Sequence, residues 1–433
     1  MSGNAAAEAT SPNSPTATES AVPPAPPPVV KRRRSRGALI AVIVVVVIVV
    51  AGLVVAYEEK WFPGQKTASK VGACASGTTL QGNGAQFAAP LFSVWASDFT
   101  TSTGNQVNYV AGGSGTGLTD FSENPPLIDF AVTDDPLTYG ETSVMPAAPL
   151  TLPIVGGALT IIYNLPGITG NLNLNGAVLE EIYNGTITTW NNPAIAALNP
   201  TVTLPSTSIT PVVRSDPAGT TYVLTDFLSA ASTWWAQNVG KGISVSFPHV
   251  PLETAVKGNS LLISTVTKTT GAIGYSDLTD TLSTAGLQYA AVQNPAGNYI
   301  VPNVTNTESA LIDKLTTVPS LPTSSDASAW YNISMINAPG KGDYPLATFV
   351  YLYVYQAADK GYPGPSGEPV SQVRAQIVVQ WLHYLLSSTG QAVVDESSPT
   401  QLYYAPLPAA VISADQAGIQ TMTYNGAAIP ACT

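Results

Sequence analysis

Residues 212–228 read "VVRSDPAGTTYVLTDFL". A β-branched pair runs into an arginine, a Pro–Gly loop follows, and an apolar periodicity of helical spacing begins at Thr220–Thr221. That is a strand, a tight turn and a helix in succession, the repeating unit of an α/β fold. The same order recurs on both sides. "PLFSVWASDFTTSTG" (90–104) spaces Leu91, Val94, Trp95 and Phe99 as a helix face and stops at Gly104. "QVNYVAGG" (106–113) and "LIDFAVTDD" (127–135) read as strands, as do "ALTIIYNLP" (158–166) and "YPLATFVYLYVY" (344–355). "VSQVRAQIVVQWLHYLLSSTG" (370–390) is an amphipathic helix with Val373, Ile377, Val378, Trp381 and Leu385 on its apolar side.

Three loops share a composition. "NGAQF" (83–87), "GGSGTG" (112–117) and "AGTT" (218–221) each follow a strand and end in small residues where a helix begins. Unpaired N–H groups and a positive dipole end make such positions ready for anions, although each loop taken singly reads equally as an ordinary turn. Arg214 distinguishes the third. Of 16 Lys and Arg residues, five crowd into "KRRRSR" (31–36), and only Arg214 and Arg374 are arginines beyond that cluster. An arginine closing a strand beside an anion-ready turn can fork onto an oxyanion, with Asp216 two residues on to hold the guanidinium.

The charge is unevenly placed. Residues 58–433 carry eleven bases against 25 acids, a balance near −14 that excludes a nucleic-acid binder. Residues 1–37 are rich in Ala, Pro, Ser and Thr up to the basic cluster and are expected to be a disordered cytoplasmic segment. Ala38–Ala56, "ALIAVIVVVVIVVAGLVVA", holds no charge and as a helix would span about 28 Å. The basic flank predicts a transmembrane helix over 38–57, N-terminus inside and the rest outside, and the length favours a retained anchor over a cleaved signal peptide. A linker over 58–74 follows. "VGAC" (71–74) lies too far beyond the apolar run to suit a lipoprotein site. Two cysteines in an exported chain, Cys74 and Cys432, predict a disulfide. Asn184, Asn303 and Asn332 occupy N-x-[ST] sequons.

Taken in order, "GNGAQFAAPLFSVWASDFTTSTGNQVNYVAGGSGTG" (82–117), "DFAVTDDPLT" (129–138), "LPIVGGALTIIYNLPG" (152–167), "VVRSDPAGTTYVLTDFL" (212–228), "GNSLLISTVTKTTGAIGYSDL" (258–278) and "YPLATFVYLYV" (344–354) resemble the phosphate-binding proteins of phosphate-importing ABC transporters. The likeness runs from about Leu80 to the C-terminus. It implies a two-lobed α/β periplasmic-binding-protein-like (type II) fold that closes over one phosphate at its hinge. Lobe one would comprise 75–155 and 345–433, lobe two 156–344, with "TLPIVGGALTIIY" and "YPLATFVYLYV" crossing between them. It implies phosphate contacts at Gln86, Phe87, Ser114, Asp134, Arg214, Asp216, Ala218, Gly219 and Thr220, with separate permease and ATPase subunits as partners and no cofactor. Two positions depart from the family pattern: Gln86 stands where a threonine is usual, and Ala218 where a serine is usual. Asp135 is expected at the rim of the site.

The carboxylate at Asp134 has a chemical purpose in an anion site. Phosphate at neutral pH still carries a P–OH that needs an acceptor, whereas sulfate carries none. Other readings remain open: a site for sulfate, molybdate or tungstate, or a surface protein of this fold without a ligand. Enzymatic signatures fail. Gly-Gly-Ser-Gly-Thr does not make G-x-S-x-G, no phosphate-binding G-x-x-x-x-G-K-[ST] loop occurs, and the two histidines, His249 and His383, offer no metal-ligand spacing.

Overall fold

The computed structural model describes residues 75–248, 250, 252–394 and 402–430. The apolar run 38–56, Cys74, His249 and Cys432 lie outside the described residues, so the expected anchor and disulfide do too. Among the described residues no helix is long and apolar enough to cross a membrane.

The fold is built around strand β4, Pro149–Tyr163, buried at all fifteen positions. A strand buried on both faces reads as a continuous apolar run instead of an alternating one, which is what "PLTLPIVGGALTIIY" supplies. On one side of it lie β1 (Thr79–Gly84), helix α1 (Ala89–Thr103), β2 (Gln106–Val110), helix α2 (Ser114–Ser122) and β3 (Phe130–Thr133). On the other lie β5 (Thr210–Arg214), helix α3 (Gly219–Ala231), β6 (Thr254–Val256), helix α4 (Asn259–Lys268) and β7 (Ala272–Asp277). Helix α5 (Val304–Thr316), strand β8 (Ala347–Tyr355) and helix α6 (Gln372–Leu385) complete the frame. The sheet runs β2-β1-β3-β8-β4-β7-β5-β6. β1 is parallel to β2 and β3, β5 is parallel to β6 and β7, and the strands between are antiparallel.

The buried apolar residues form two cores, giving a two-lobed α/β architecture. Leu150, Leu152, Ile154 and Val155 of β4 belong to the first. Ala158, Leu159, Ile161, Ile162 and Tyr163 belong to the second. The strand pairs with β8 from Pro149 to Ala158 and with β7 from Leu159 onward. Gly156 and Gly157 mark the changeover because neither has room for a side chain. A Cβ at Gly156 would sit 2.2 Å from Leu311, and one at Gly157 would sit 2.2 Å from the Phe87 ring. The chain changes core again near β8, with Tyr344 and Leu346 in the second and Ala347 onward in the first. Ala310, Leu311, Ala327 and Trp330 also pack in the first core, although the sequence reading put all of 156–344 in lobe two. The reason is α5: its apolar face lies on Gly156 of the crossing strand, which local periodicity cannot reveal.

The first core is held by aromatic packing, with Phe92, Phe99 and Phe130 around Trp381 of α6. Arg374 of α6 forks onto Asp129 at 2.7 and 2.6 Å and donates to the Thr79 carbonyl, fixing the helix to the sheet. The sequon residues already have structural work. Asn303 caps α5 by accepting from Asn306 N–H at 2.7 Å, and Asn184 bonds Glu180 and Thr186 N–H.

Candidate functional site

Parallel strands release their loops at one edge, and in open α/β sheets ligands bind outside those carboxyl ends. β1, β2 and β3 deliver Gln86, Ser114 and Asp134 from one lobe. β5 delivers Arg214 and the turn into α3 from the other. The structure brings these groups together across the lobe boundary.

Ser114 opens α2 and is 1% exposed. Gly113 before it has φ 99°, a left-handed conformation glycine adopts without strain. The Ser114 hydroxyl accepts from the Gly219 N–H at 3.2 Å, so the first turn of α2 meets the first turn of α3. Gly219 is needed there: a Cβ would lie 2.5 Å from Asp134 Cβ and 2.6 Å from its Oδ2. The helix begins one residue earlier than the apolar pattern suggests, at Gly219, with Ala218 as its cap residue in extended conformation. Ala218 offers no side-chain cap, and its own N–H goes to the Ile243 carbonyl at 2.9 Å. Of the first-turn N–H groups of α3, that of Gly219 goes to Ser114 and that of Thr221 to the Ala218 carbonyl at 3.0 Å, which leaves the Thr220 N–H without an intrahelical acceptor.

Arg214 is buried, with its backbone N–H donating to the Tyr275 hydroxyl at 2.9 Å. Its Nε and one terminal nitrogen fork onto Asp216 at 2.8 and 2.6 Å, and its other terminal nitrogen lies 3.5 Å from Thr220 Oγ1. Burial alone would raise the Asp216 carboxyl. The Arg214 fork and the Gly258 N–H overcome it and hold Asp216 below the usual carboxylate range. Asp216 therefore orients the guanidinium and leaves one edge of it toward Thr220.

Asp134 is 2% exposed, and its Oδ1 is buried without a hydrogen-bond partner. Burial pushes its carboxyl up to about 7, against the pull of Arg214. A buried acceptor left unpaired in a protein is costly; Asp135 Oδ1 is unpaired too, and what sets Asp134 apart is its place against Gly219 and in the field of Arg214. Its own carbonyl receives the Thr348 hydroxyl at 3.1 Å, so β8 fixes the backbone that presents it.

One expectation needs revision, and two side chains need placing. Asp135 is not at the rim; it is 5% exposed, and its carbonyl accepts from the Tyr353 hydroxyl at 2.9 Å. Burial first, and then Glu141 and Asp134, hold its carboxyl well above the ordinary range. The Phe87 ring does not face the cleft; it packs edge-on against Tyr404 at 5.7 Å and beside Gly157, leaving its main chain at the site. The Gln86 side chain reaches the other lobe, where its Oε1 accepts from Asn259 N–H at 2.7 Å. Gly258 and Asn259 escaped the sequence reading as site neighbours. Their signal was the small pair at the start of "GNSLLISTV" (258–266), the same pattern of a glycine before a helix seen at Gly113–Ser114.

Two α/β lobes joined by crossing strands, with polar groups from both meeting between them, define a hinged solute-binding protein. A PBP superfamily domain matches residues 68–389. A phosphate-binding protein PstS of Xylella fastidiosa is 35% identical over 65% of this chain and 73% of its own. One of Haemophilus influenzae is 31% identical over 78% and 92% respectively. The chain belongs to this PstS family of the PBP superfamily. A high-affinity periplasmic phosphate-binding protein solved with bound phosphate shares the fold at TM-score 0.59 and 22% identity, over 78% of this chain and 93% of that one.

Proposed function

We propose that this protein captures inorganic phosphate between its lobes and passes it to the permease and ATPase subunits of an ABC importer. The observation that carries the reading is the unpaired Asp134 oxygen, buried beside Arg214 and the first turn of α3. Arg214 and the Gly219–Thr220 N–H groups supply positive potential to the ligand's oxygens. The Ser114 and Thr220 hydroxyls donate to them, and Gln86, Phe87 and Ala218 border the site through their main chain. Asp134 accepts from the P–OH. Sulfate, lacking that proton, would set an oxygen against the carboxylate with no hydrogen between them. The acidic exterior gives no long-range attraction for an anion, so local donors in a dry cleft must do the capturing. This is binding chemistry; Asp134 has an acceptor's role and no bond of the ligand is broken.

Residues 38–57 would tether the domain to the membrane with the lobes on the outer side. Cys74 and Cys432 would join the ends of the domain. In support, α6 contacts both flanks: Arg374 reaches the Thr79 carbonyl and Gln376 reaches the Pro430 carbonyl, each at 3.0 Å. The first lobe would be 75–155, 304–335 and 347–430, the second 158–300. Titration of phosphate into the purified wild type and into Arg214→Ala tests the site. Saturable binding lost in the variant supports it, and equal affinity in both rejects it.

A further inference from the structure

Two hydrogen bonds described above cross the cleft, and they differ in kind. Ser114 Oγ to Gly219 N–H lies among the groups assigned to the ligand, so ligand binding would rearrange it. Gln86 Oε1 to Asn259 N–H does not. Gln86 stands on a short 3-10 turn whose neighbours Phe87 and Ala88 are buried in the first core. Asn259 opens α4, whose Leu262, Ile263 and Val266 belong to the second.

The receiving end is held rigidly. Asn259 is 3% exposed, and its side-chain amide donates to Asp277 at 2.7 Å and Asp280 at 2.5 Å. Gly258 before it has φ 86° and gives its N–H to Asp216 at 3.0 Å. The first N–H groups of α4 thus have two carbonyl-type acceptors, Asp216 from the same lobe and Gln86 from the other. A helix N-terminus rewards such an acceptor with both a hydrogen bond and a favourable dipole. The Asn259 N–H, which opens the helix, is thereby committed to the opposite lobe.

We propose that the Gln86 side chain is a latch between the lobes, a positioning residue that sustains closure without touching the ligand. It makes part of the closing energy independent of phosphate and slows the ligand's escape. This rests on the phosphate-binding reading only for the second effect. One neutral hydrogen bond of this kind corresponds to about a 3- to 10-fold change in an equilibrium between open and closed forms.

Gln86→Met keeps the length and bulk of the side chain and removes its acceptor. In the phosphate-free full chain, hydrogen exchange read by mass spectrometry should be about 3- to 10-fold faster in the 258–262 segment of the variant, with 150–161 of the crossing strand unchanged. The phosphate dissociation rate should rise by a similar factor. Unchanged exchange at 258–262 overturns the latch, as does an equal rise throughout the molecule, which would indicate general loosening. A wild type that binds no phosphate would defeat the functional proposal, while the exchange comparison would still decide this one.

Discussion

Replacing Asp134 by Asn isolates the energetic burden of a buried carboxylate at the site. Its carboxyl is raised from 3.8 to about 7 by burial, so the native state holds this proton more tightly than the unfolded chain does. For a carboxyl shifted upward, the sign is that stability falls as pH rises from about 4 to 7 and is flat above. The slope from this group is about 1.4 kcal/mol per pH unit, and the full cost of ionisation is about 4 kcal/mol. Asn carries no such burden but adds an N–H that finds no obvious acceptor, a penalty of about 1–3 kcal/mol. In phosphate-free buffer the variant should therefore be more stable than wild type by about 2 kcal/mol at pH 8. It should have no advantage at pH 4.5. Asp129, Asp135, Asp277 and Asp415 are also raised, burial being the first cause in each, but they are common to both proteins and cancel in the difference. Urea unfolding of both proteins at half-unit steps of pH measures it. A difference that does not change with pH would refute the argument that Asp134 ionises at a cost inside the fold.

Arg214→Ala should weaken phosphate binding by at least about 100-fold, through loss of a charge-assisted contact. Arg214→Lys should restore only part, as calorimetry would show. Arg374→Ala is the contrasting case: it strands the buried Asp129 carboxylate and should cost about 3 kcal/mol in stability by thermal unfolding while leaving phosphate affinity nearly unchanged. Gly219→Ala puts a methyl within 2.8 Å of the Asp134 backbone nitrogen and should oppose closure, weakening phosphate by at least about 10-fold with little effect on phosphate-free stability. Native protein treated with a thiol reagent should show no reaction at Cys74 or Cys432 until reductant is added.

Much of this was legible in local sequence because the site is made of strand ends. A β-branched run ending in Arg214, with Gly219 after it, reports a strand, a turn and a helix start, and the structure has all three there. The continuous apolar run of β4 likewise announces burial on both faces. What local sequence could not give is the traffic between lobes. The attachment of α5 to the first core depends on Leu311 meeting Gly156, a contact across about 150 residues of chain. Asp135 was misplaced because its exposure is set by Tyr353 on β8, far along the sequence. Gln86 was named as a ligand contact from the family resemblance alone, which could not show that its side chain answers to a helix N-terminus in the opposite lobe.

The function stands or falls on a competition titration with the purified wild-type protein. Calorimetry should show one phosphate bound per chain, and about a 1,000-fold excess of sulfate should fail to displace it, because sulfate offers Asp134 no proton. If phosphate gives no saturable binding, or sulfate competes with it on equal terms, the cleft between Ser114, Asp134 and Arg214 is not the phosphate site proposed for it.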